Sequence, residues 1–309
     1  MIAPMNKSIR QLAIIGPTAS GKSALAVKIA KEINAHILSL DSLSLYKEID
    51  IVSAKPTLRE REGIIHYGID LLYPDEPFDV TIFAGLYQRV FQEAEKDGKD
   101  LIIVGGTSFY LKILIDGISP LPPLRGTTLQ KVKKAMADKN RAYQMLYELD
   151  PHYMSNIASN DSYRIEKALT IYYGSGLTPT YYFSTNPPQP VIKEHIPLYH
   201  ILTERDQLRS RIASRTAHML QLGLIDEVAF LEKKYTRTPH CMKSIGIKET
   251  LDYLDGKLDR KRLEEKISVN TSRLAKRQVT FNQSQFEKII SLDIESLENR
   301  ILKDLQMRK

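Results

Sequence analysis

Tryptophan is absent and cysteine occurs once, at Cys241, in a chain of 309 residues. A single cysteine excludes an internal disulfide and any metal site built from several cysteines. We therefore expect Cys241 to be a small buried hydrophobic residue. The seven histidines lack metal-ligand spacing relative to one another, so none of them is assigned to a metal.

Long apolar runs are also missing, since no segment approaches the length of about 18 residues that a membrane-spanning helix needs. The amino terminus passes from Lys7 and Arg10 directly into a short apolar segment, which predicts a cytoplasmic protein without a cleaved leader. No membrane partner is expected, and the protein is expected to act as a monomer. With 42% hydrophobic and 26% charged residues, it has enough material for one large or two modest domains.

Basic residues outnumber acidic ones, 44 to 37, which gives a formal net charge of +7. This balance favours a polyanionic partner, although many basic proteins merely carry solvated lysines. The basic excess is concentrated in residues 257–277, which hold eight basic and three acidic side chains. Residues Leu263, Ile267, Thr271 and Leu274 mark the inward face of a predicted helix there, which leaves the basic side chains free to meet phosphates.

Residues 11–122 alternate between short apolar segments and segments of helical periodicity, a pattern typical of an open parallel sheet covered by helices. A helix is predicted after a cap at Asp79, and the chain from Arg205 onward is predicted to be mostly helical. The predicted strands are residues 11–15, 36–40, 101–104 and a returning strand at 198–202.

Two proline clusters bracket a segment whose pattern is helical, and they predict hinges at its ends. The predicted organisation is a first part of the core at 1–122, an inserted helical domain at 123–190, and a returning core strand with a basic helical C-terminal region at 191–309. Eight tyrosines lie in the insertion, and most are expected to serve packing rather than base stacking.

The strongest motif lies between the first predicted strand and the following helix, where the chain reads G-P-T-A-S-G-K-S. This is a complete phosphate-binding loop (P-loop), in which backbone N–H groups turn toward phosphate oxygens and the helix start adds partial positive charge. Lys22 is expected to reach the outer phosphate and Ser23 to ligate Mg²⁺. The predicted phosphate-binding residues are Gly16, Pro17, Thr18, Ala19, Ser20, Gly21, Lys22 and Ser23.

Further motifs follow the P-loop in a fixed order. They are D-S-x-x-x-Y from Asp41, D-I-x-x-A-K-P from Asp50, V-G-G-T from Val104, an arginine-rich helix from Arg205, I-G-I-K-E from Ile245 and L-A-K-R-Q from Leu274. Together they resemble the tRNA dimethylallyltransferases, also called tRNA isopentenyltransferases, from residue 11 to about 281. The resemblance implies an α/β fold with a P-loop NTPase-like parallel-sheet core, an inserted helical domain and a helical C-terminal region.

In that family the exocyclic amine of the adenosine at tRNA position 37 attacks the first carbon of dimethylallyl diphosphate, and diphosphate leaves. The resemblance thus implies two substrates, the tRNA anticodon stem-loop and dimethylallyl diphosphate, with Mg²⁺ as cofactor. It also implies that Asp41 is the general base, that Thr107 contacts the target nucleotide, and that Arg215 contacts the diphosphate with Arg211 beside it.

The resemblance further implies a set of tRNA contacts in both the core and the insertion. These residues are Asp41, Ser42, Leu43, Ser44, Thr107, Tyr163, Arg164, Ile165, Glu166, Lys167, Lys243, Lys248, Lys276 and Arg277. The chain departs from the family pattern at Leu129, where an arginine is common, and at Phe281 and Asn282, where Trp and Arg are usual.

Other functions share parts of this pattern. A P-loop kinase of small metabolites would transfer a phosphoryl group, but the predicted strand at 101–104 ends in Gly-Gly-Thr without an acidic Mg²⁺ partner. An adenylate isopentenyltransferase would prenylate free nucleotides, which need neither an insertion nor a basic C-terminal region. A non-catalytic RNA-binding protein would leave the complete P-loop unexplained.

Overall fold

The computed structural model describes residues 9–123 and 125–307, which form two compact units. The core unit combines the described residues up to Lys112 with those from Glu194 onward, and the inserted unit comprises Ile113–Lys193. Within the described ranges, no helix is long and apolar enough to cross a membrane.

The core unit is built around one parallel sheet. Its strands in the described chain are β1 (Gln11–Ile15), β2 (Ala35–Leu40), β3 (His66–Tyr67), β4 (Asp100–Gly105), β5 (Leu198–Ile201) and β6 (Ile289–Leu292). Their order across the sheet is β3-β2-β4-β1-β5-β6. The predicted parallel sheet and the returning strand beside β1 are confirmed. The two edge strands, β3 and β6, were not predicted, because they are short and only half-buried.

Helices cover both faces of this sheet. Before the insertion they are α1 (Lys22–Ile33), α2 (Leu58–Arg61), α3 (Val80–Asp97) and α4 (Ser108–Asp116). The predicted cap of α3 is confirmed, because the Asp79 carboxylate accepts hydrogen bonds from the N–H groups of Thr81 and Ile82. The buried residues of α1 pack with the strands in the main core cluster.

The inserted unit is helical. Its helices are the end of α4, then α5 (Gly126–Met136), α6 (Lys139–Leu149), α7 (Pro151–Met154), α8 (Ser162–Ser175) and α9 (Pro179–Thr185). They pack around a core that contains Leu146, Met154 and Ile165. At the base of the unit, Leu114 O accepts hydrogen bonds from Val191 N and Ile192 N. The entering and leaving chain segments therefore run side by side.

After β5 the chain forms α10 (Arg205–Gln221), α11 (Leu224–Tyr235), a 3₁₀ turn (His240–Lys243), α12 (Ile247–Leu254), α13 (Arg260–Gln285) and α14 (Ile294–Gln306). Residues of α10 to α13 form a second core cluster with the loop that follows β2, whereas α14 packs in the main core cluster of the sheet. Cys241 lies in this cluster with 3% of its surface exposed, which confirms its prediction as a buried hydrophobic residue. The buried stripe of α13 begins at Leu263 and Ile267 as predicted but continues at Ala275 rather than Leu274.

Candidate active site

Three loops meet at the carboxyl edge of the sheet because their strands end level with one another. Gly105 at the end of β4 pairs with Leu40 at the end of β2 on one side and with Ile15 at the end of β1 on the other. The P-loop follows β1, Asp41 follows β2, and the turn Gly106-Thr107 follows β4. Ligands of open α/β sheets bind at this edge, so the strand register itself assembles the predicted site.

The P-loop joins β1 to the first turn of α1. Ala19 and Gly21 adopt left-handed backbone conformations, with φ of 62° and 93°. The Lys22 ammonium donates a hydrogen bond of 2.6 Å to Pro17 O. Burial and, to a lesser extent, the nearby Arg215 cation lower the pKa of Lys22 to about 7, against the opposing effect of the Asp41 carboxylate. A phosphorylated ligand would supply the anion that this buried ammonium lacks.

Arg215 is held beside the P-loop by the packing of α10. Leu208 and Ile212 on the buried face of that helix contact Ala275 of α13, and the P-loop residue Ala19 packs on the same cluster. Burial lowers the pKa of Arg215, while Asp41 raises it. Its Nη2 lies 3.5 Å from Ser53 O. Arg211, one turn earlier on the helix, is exposed.

Asp41 combines a structural and an open carboxylate oxygen. Its Oδ1 accepts hydrogen bonds from Leu43 N at 2.8 Å and Ser44 N at 3.2 Å, which fixes the turn after β2. No described residue donates a hydrogen bond to Oδ2. The turn therefore orients the side chain while one oxygen remains able to accept a proton.

The D-I-x-x-A-K-P motif forms the loop that carries Ser53. The Glu227 carboxylate accepts hydrogen bonds from three consecutive backbone amides of this loop, at residues 50–52. The nearly buried Lys55 ammonium bonds Tyr46 O and forms ion pairs with Asp50 and Asp70. These contacts make the motif a support for the site, since they fix the carbonyl that Arg215 approaches.

The two glycines after β4 allow close contacts that a side chain would prevent. A Cβ at Gly105 would lie 2.4 Å from Leu40 O, and one at Gly106 would lie 2.5 Å from the Gln278 amide nitrogen. Thr107 N donates a hydrogen bond to Leu40 O at 3.0 Å, which places Thr107 directly beside Asp41 at the strand ends.

Gln278 of α13 reaches two of the three loops at once. Its Oε1 accepts a hydrogen bond of 2.9 Å from Thr18 N in the P-loop, and its Nε2 donates one of 3.0 Å to Gly106 O. No separate role was predicted for this residue, although it closes the L-A-K-R-Q motif. The only available signal was its place in that motif.

Tyr110 adds an aromatic wall that the sequence analysis missed. Its ring stacks on Phe83 with centroids 4.9 Å apart and meets Phe78 edge-on at 5.6 Å. Burial, with smaller contributions from Tyr46 and Asp41, raises the pKa of Tyr110 to about 12. The ring therefore stays neutral and presents an apolar surface near the carboxylate. Its position three residues after Thr107, on the first turn of α4, was the signal available.

Buried polar atoms also surround the P-loop. Ser20 Oγ and His200 Nε2 have no hydrogen-bond partner among the described residues. His200 pairs with Ile15 across β5 and β1, and burial together with the Lys22 cation lowers its pKa to about 4. His200 is neutral at physiological pH, so it adds no charge beneath the P-loop.

The predicted tRNA contacts divide by exposure. The side chains of Lys243, Lys248, Lys276, Arg277, Tyr163, Arg164 and Glu166 are exposed. Ile165 is fully buried in the core of the inserted unit, and Ser44 is 5% exposed with its amide committed to Asp41. Their contacts with tRNA stay predictions, and the side chain of the first packs inside the inserted unit while that of the second lies within the turn after β2. Ser42, Leu43 and Lys167 are half-buried.

No group of three or more acidic, histidine or cysteine side chains among the described residues is arranged to hold a metal ion. The oxygens available at the P-loop are the Ser23 hydroxyl, which is exposed, and Asp41 Oδ2. Hard oxygen ligands of this kind, completed by phosphate oxygens, suit Mg²⁺. The residues present therefore fit a cation that enters together with a diphosphate.

Residues 44–285 match the family model described as IPP transferase. The chain belongs to the IPP transferase family. It is 58% identical to a tRNA dimethylallyltransferase of Sulfurovum sp. (strain NBC37-1), over 96% of this chain and 99% of that protein. A tRNA dimethylallyltransferase of Sulfurimonas denitrificans is 57% identical with the same coverage.

Solved structures of IPP transferases share the fold. A tRNA isopentenylpyrophosphate transferase from Bacillus halodurans is 28% identical with a TM-score of 0.71, over 97% of this chain and 98% of that one. A eukaryotic dimethylallyltransferase solved acting on tRNA is 26% identical with a TM-score of 0.82, over 92% of this chain and 74% of that one.

Proposed function

We propose that this protein transfers the dimethylallyl group of dimethylallyl diphosphate to the exocyclic amine of the adenosine at position 37 in the tRNA anticodon loop, with release of diphosphate. Its family and the activity named for its relatives support this reaction. The observation that carries it is the meeting of Lys22, Arg215 and Asp41 at the edge of the sheet, where Asp41 raises the pKa of both cations and Arg215 lowers that of Lys22.

The reaction forms one N–C bond and breaks one C–O bond. The adenosine amine attacks the first carbon of the dimethylallyl group, and the diphosphate leaves with the electron pair of the C–O bond. Oδ2 of Asp41 accepts the proton that the amine loses. Because the nucleophile is an aromatic amine, proton removal and leaving-group stabilisation both matter to the rate.

The leaving diphosphate is stabilised by the P-loop amides, Lys22 and Arg215. Both residues are half-buried, and electrostatic interactions are stronger there than at a fully exposed surface. Arg211 is proposed to meet the diphosphate from the exposed side of α10. The neutral ring of Tyr110 offers an apolar contact to the prenyl group.

Mg²⁺ is the proposed cofactor, held by the Ser23 hydroxyl and the oxygens of the bound diphosphate. When bound, it neutralises the charge that develops on the departing diphosphate. Ser23 is available for this contact, since it lies in the first turn of α1 and is exposed.

The tRNA is proposed to meet exposed basic residues in both units. In the core unit these are Lys243, Lys248, Lys276 and Arg277, and in the inserted unit Arg164, joined there by the half-buried Lys167 and the 69% exposed Tyr163. The net charge of +7 favours such a polyanion. Asp41, Ser42, Leu43 and Thr107 lie where the target adenosine would enter. The enzyme is proposed to act as a cytoplasmic monomer.

Two alternatives are not favoured. A small-metabolite kinase would not account for the match to IPP transferases across residues 44–285. An adenylate isopentenyltransferase acting on free nucleotides would not need the inserted unit, whereas relatives named as tRNA enzymes align with 91–96% of the chain.

The test is incubation with radiolabelled dimethylallyl diphosphate and Mg²⁺, offering either an anticodon stem-loop with adenosine at position 37 or free adenine nucleotides. We expect label in the stem-loop and none in the nucleotides. A stem-loop with guanosine at position 37 is the matched control. Label transferred to free nucleotides, or to neither acceptor, would overturn the proposal.

A further inference from the structure

Gln278 is the one described side chain found to hydrogen-bond both the P-loop and the turn after β4. The two bonds use opposite ends of its amide, the oxygen for Thr18 N and the nitrogen for Gly106 O. Thr18 precedes the loop residues that open α1, so Gln278 fixes the loop without occupying the amides at the helix start. Gly106 precedes Thr107, the residue placed beside the target nucleotide.

The helix that carries Gln278 also carries proposed tRNA contacts. Lys276 and Arg277 are its immediate neighbours in sequence and are exposed. Ala275 on the buried side of α13 packs with Leu208 and Ile212 of α10. The helix is therefore anchored on one side and open to RNA on the other, with Gln278 between these sides.

We propose that Gln278 is a positioning residue that couples tRNA docking to binding of the prenyl donor, a role that rests on the function proposed above. RNA phosphates held by Lys276 and Arg277 restrict the position of α13. Through Gln278, this restriction fixes the P-loop and the turn before Thr107 in one geometry. Because coupling between two ligands is reciprocal, the donor strengthens RNA binding by the same factor.

Gly106, which accepts a hydrogen bond from Gln278, also supports this role. A Cβ at this position would meet the Gln278 amide nitrogen at 2.5 Å, so any side chain displaces the amide. The second glycine of the V-G-G-T motif is thus explained by the approach of Gln278, whereas the first is explained by Leu40 O. Gly106→Ala is accordingly expected to reproduce the effect of losing Gln278.

The experiment measures the affinity for the thio analogue of dimethylallyl diphosphate, in which sulfur replaces the bridging oxygen, with and without an anticodon stem-loop. In the unmodified protein we expect RNA to tighten analogue binding by about fivefold or more. Gln278→Met is similar in length but makes neither hydrogen bond. It is expected to bring the ratio of the analogue affinities with and without RNA close to one. The control is Gln285→Met on the same helix, because Gln285 is exposed and bonds only Ser284.

Gln278→Glu is the second variant, which keeps an acceptor for Thr18 N but loses the donor to Gly106 O. It is expected to lower the ratio as well, with a melting temperature close to that of the unmodified protein. A ratio unchanged in both variants, or a ratio of one in the unmodified protein, would overturn the role of Gln278. Failure of the unmodified protein to bind either ligand would instead contradict the proposed function.

Discussion

The core unit and the inserted unit keep their charged groups in different environments. In the core, Lys22 and Arg215 are withdrawn from water beside Asp41, and burial lowers the pKa of both cations. In the inserted unit, Arg164 is exposed and pairs with Asp161 within its own helix. Buried, mutually perturbed charges suit chemistry, and exposed charges suit contact with a phosphate backbone. The contrast separates a proposed reaction site from a proposed recognition surface.

Two aspartates, one in each unit, show the same contrast between a structural and a proposed catalytic side chain. Asp150 of the inserted unit is 4% exposed, and both its oxygens have partners, from Tyr153 N, Thr180 N and the Thr180 hydroxyl. Burial raises its pKa, but these hydrogen bonds outweigh burial and lower it. Asp41 has partners for Oδ1 alone. A carboxylate that only supports structure is fully bonded, whereas one proposed to react is not.

The largest expected effect is that of Asp41→Asn. An asparagine oxygen still accepts from Leu43 N and Ser44 N, so the turn persists, but the side chain no longer accepts a proton. We expect single-turnover prenyl transfer to fall by a factor of about 10²–10⁴ while tRNA affinity changes little. A retained rate would refute Asp41 as the base. A lost rate together with a large drop in melting temperature would show that its role is structural.

Removing the buried cation of the P-loop is expected to have the next largest effect. Lys22→Ala should lower turnover by a factor of about 10²–10³, because a group that stabilises the leaving diphosphate is lost. Ser23→Ala should weaken dependence on Mg²⁺, and neither variant should alter tRNA affinity. Normal turnover at limiting prenyl donor would contradict the assignment.

The pKa of Lys22 predicts that the affinity for the prenyl donor depends on pH. In the empty site it is about 7, and a bound diphosphate raises it, so binding above pH 7 requires proton uptake. Donor affinity should be full below pH 7 and weaken by up to about tenfold per pH unit above it. The Lys22→Arg variant stays charged throughout this pH range. The ratio of the donor affinities of the unmodified protein and this variant at each pH therefore cancels the effect of ionisation of the donor itself.

Asp150→Asn should reverse the pattern expected for Asp41. The new amide group would face Thr180 N or the Thr180 hydroxyl in place of an acceptor. We expect the free energy of unfolding to fall by about 1–3 kcal/mol, because a buried donor is left unsatisfied. Prenyl transfer per folded molecule should change far less than in Asp41→Asn. Equal loss of rate in the two variants would remove the distinction between the aspartates.

Charge reversal at the exposed basic residues is expected to have the smallest effect. Arg164→Glu and Lys276→Glu should weaken tRNA binding more than donor binding. Each should reduce the slope of the logarithm of tRNA affinity against the logarithm of salt concentration by about one, since one phosphate contact is lost. Lys96→Glu, exposed at the end of α3, is the control and should leave the slope unchanged. A larger effect on donor than on tRNA would contradict the proposed RNA surface.

Much of the site was predictable because its elements have local signals. The P-loop, Asp41 and the turn at Gly105 each follow a short apolar segment that predicts a strand. Parallel strands bring their carboxyl ends to the same edge of a sheet. Gln278 and Tyr110 were missed because their roles depend on contacts across long sequence separations. The burial of the Ile165 side chain was not foreseen, because a motif does not distinguish the buried from the exposed positions of a helix. The short edge strands escaped prediction since half-buried segments lack a clear apolar pattern.

The paired segments at the base of the inserted unit have a consequence for the order of folding. Strand β5 joins the sheet only after the chain has passed through Ile113–Lys193. Leu114 meets Val191 and Ile192 there, so a folded insertion brings its two ends together. The entropy of closing that long loop is then compensated by the insertion's own contacts. We expect the insertion to fold early and thereby to speed the pairing of β5 with β1.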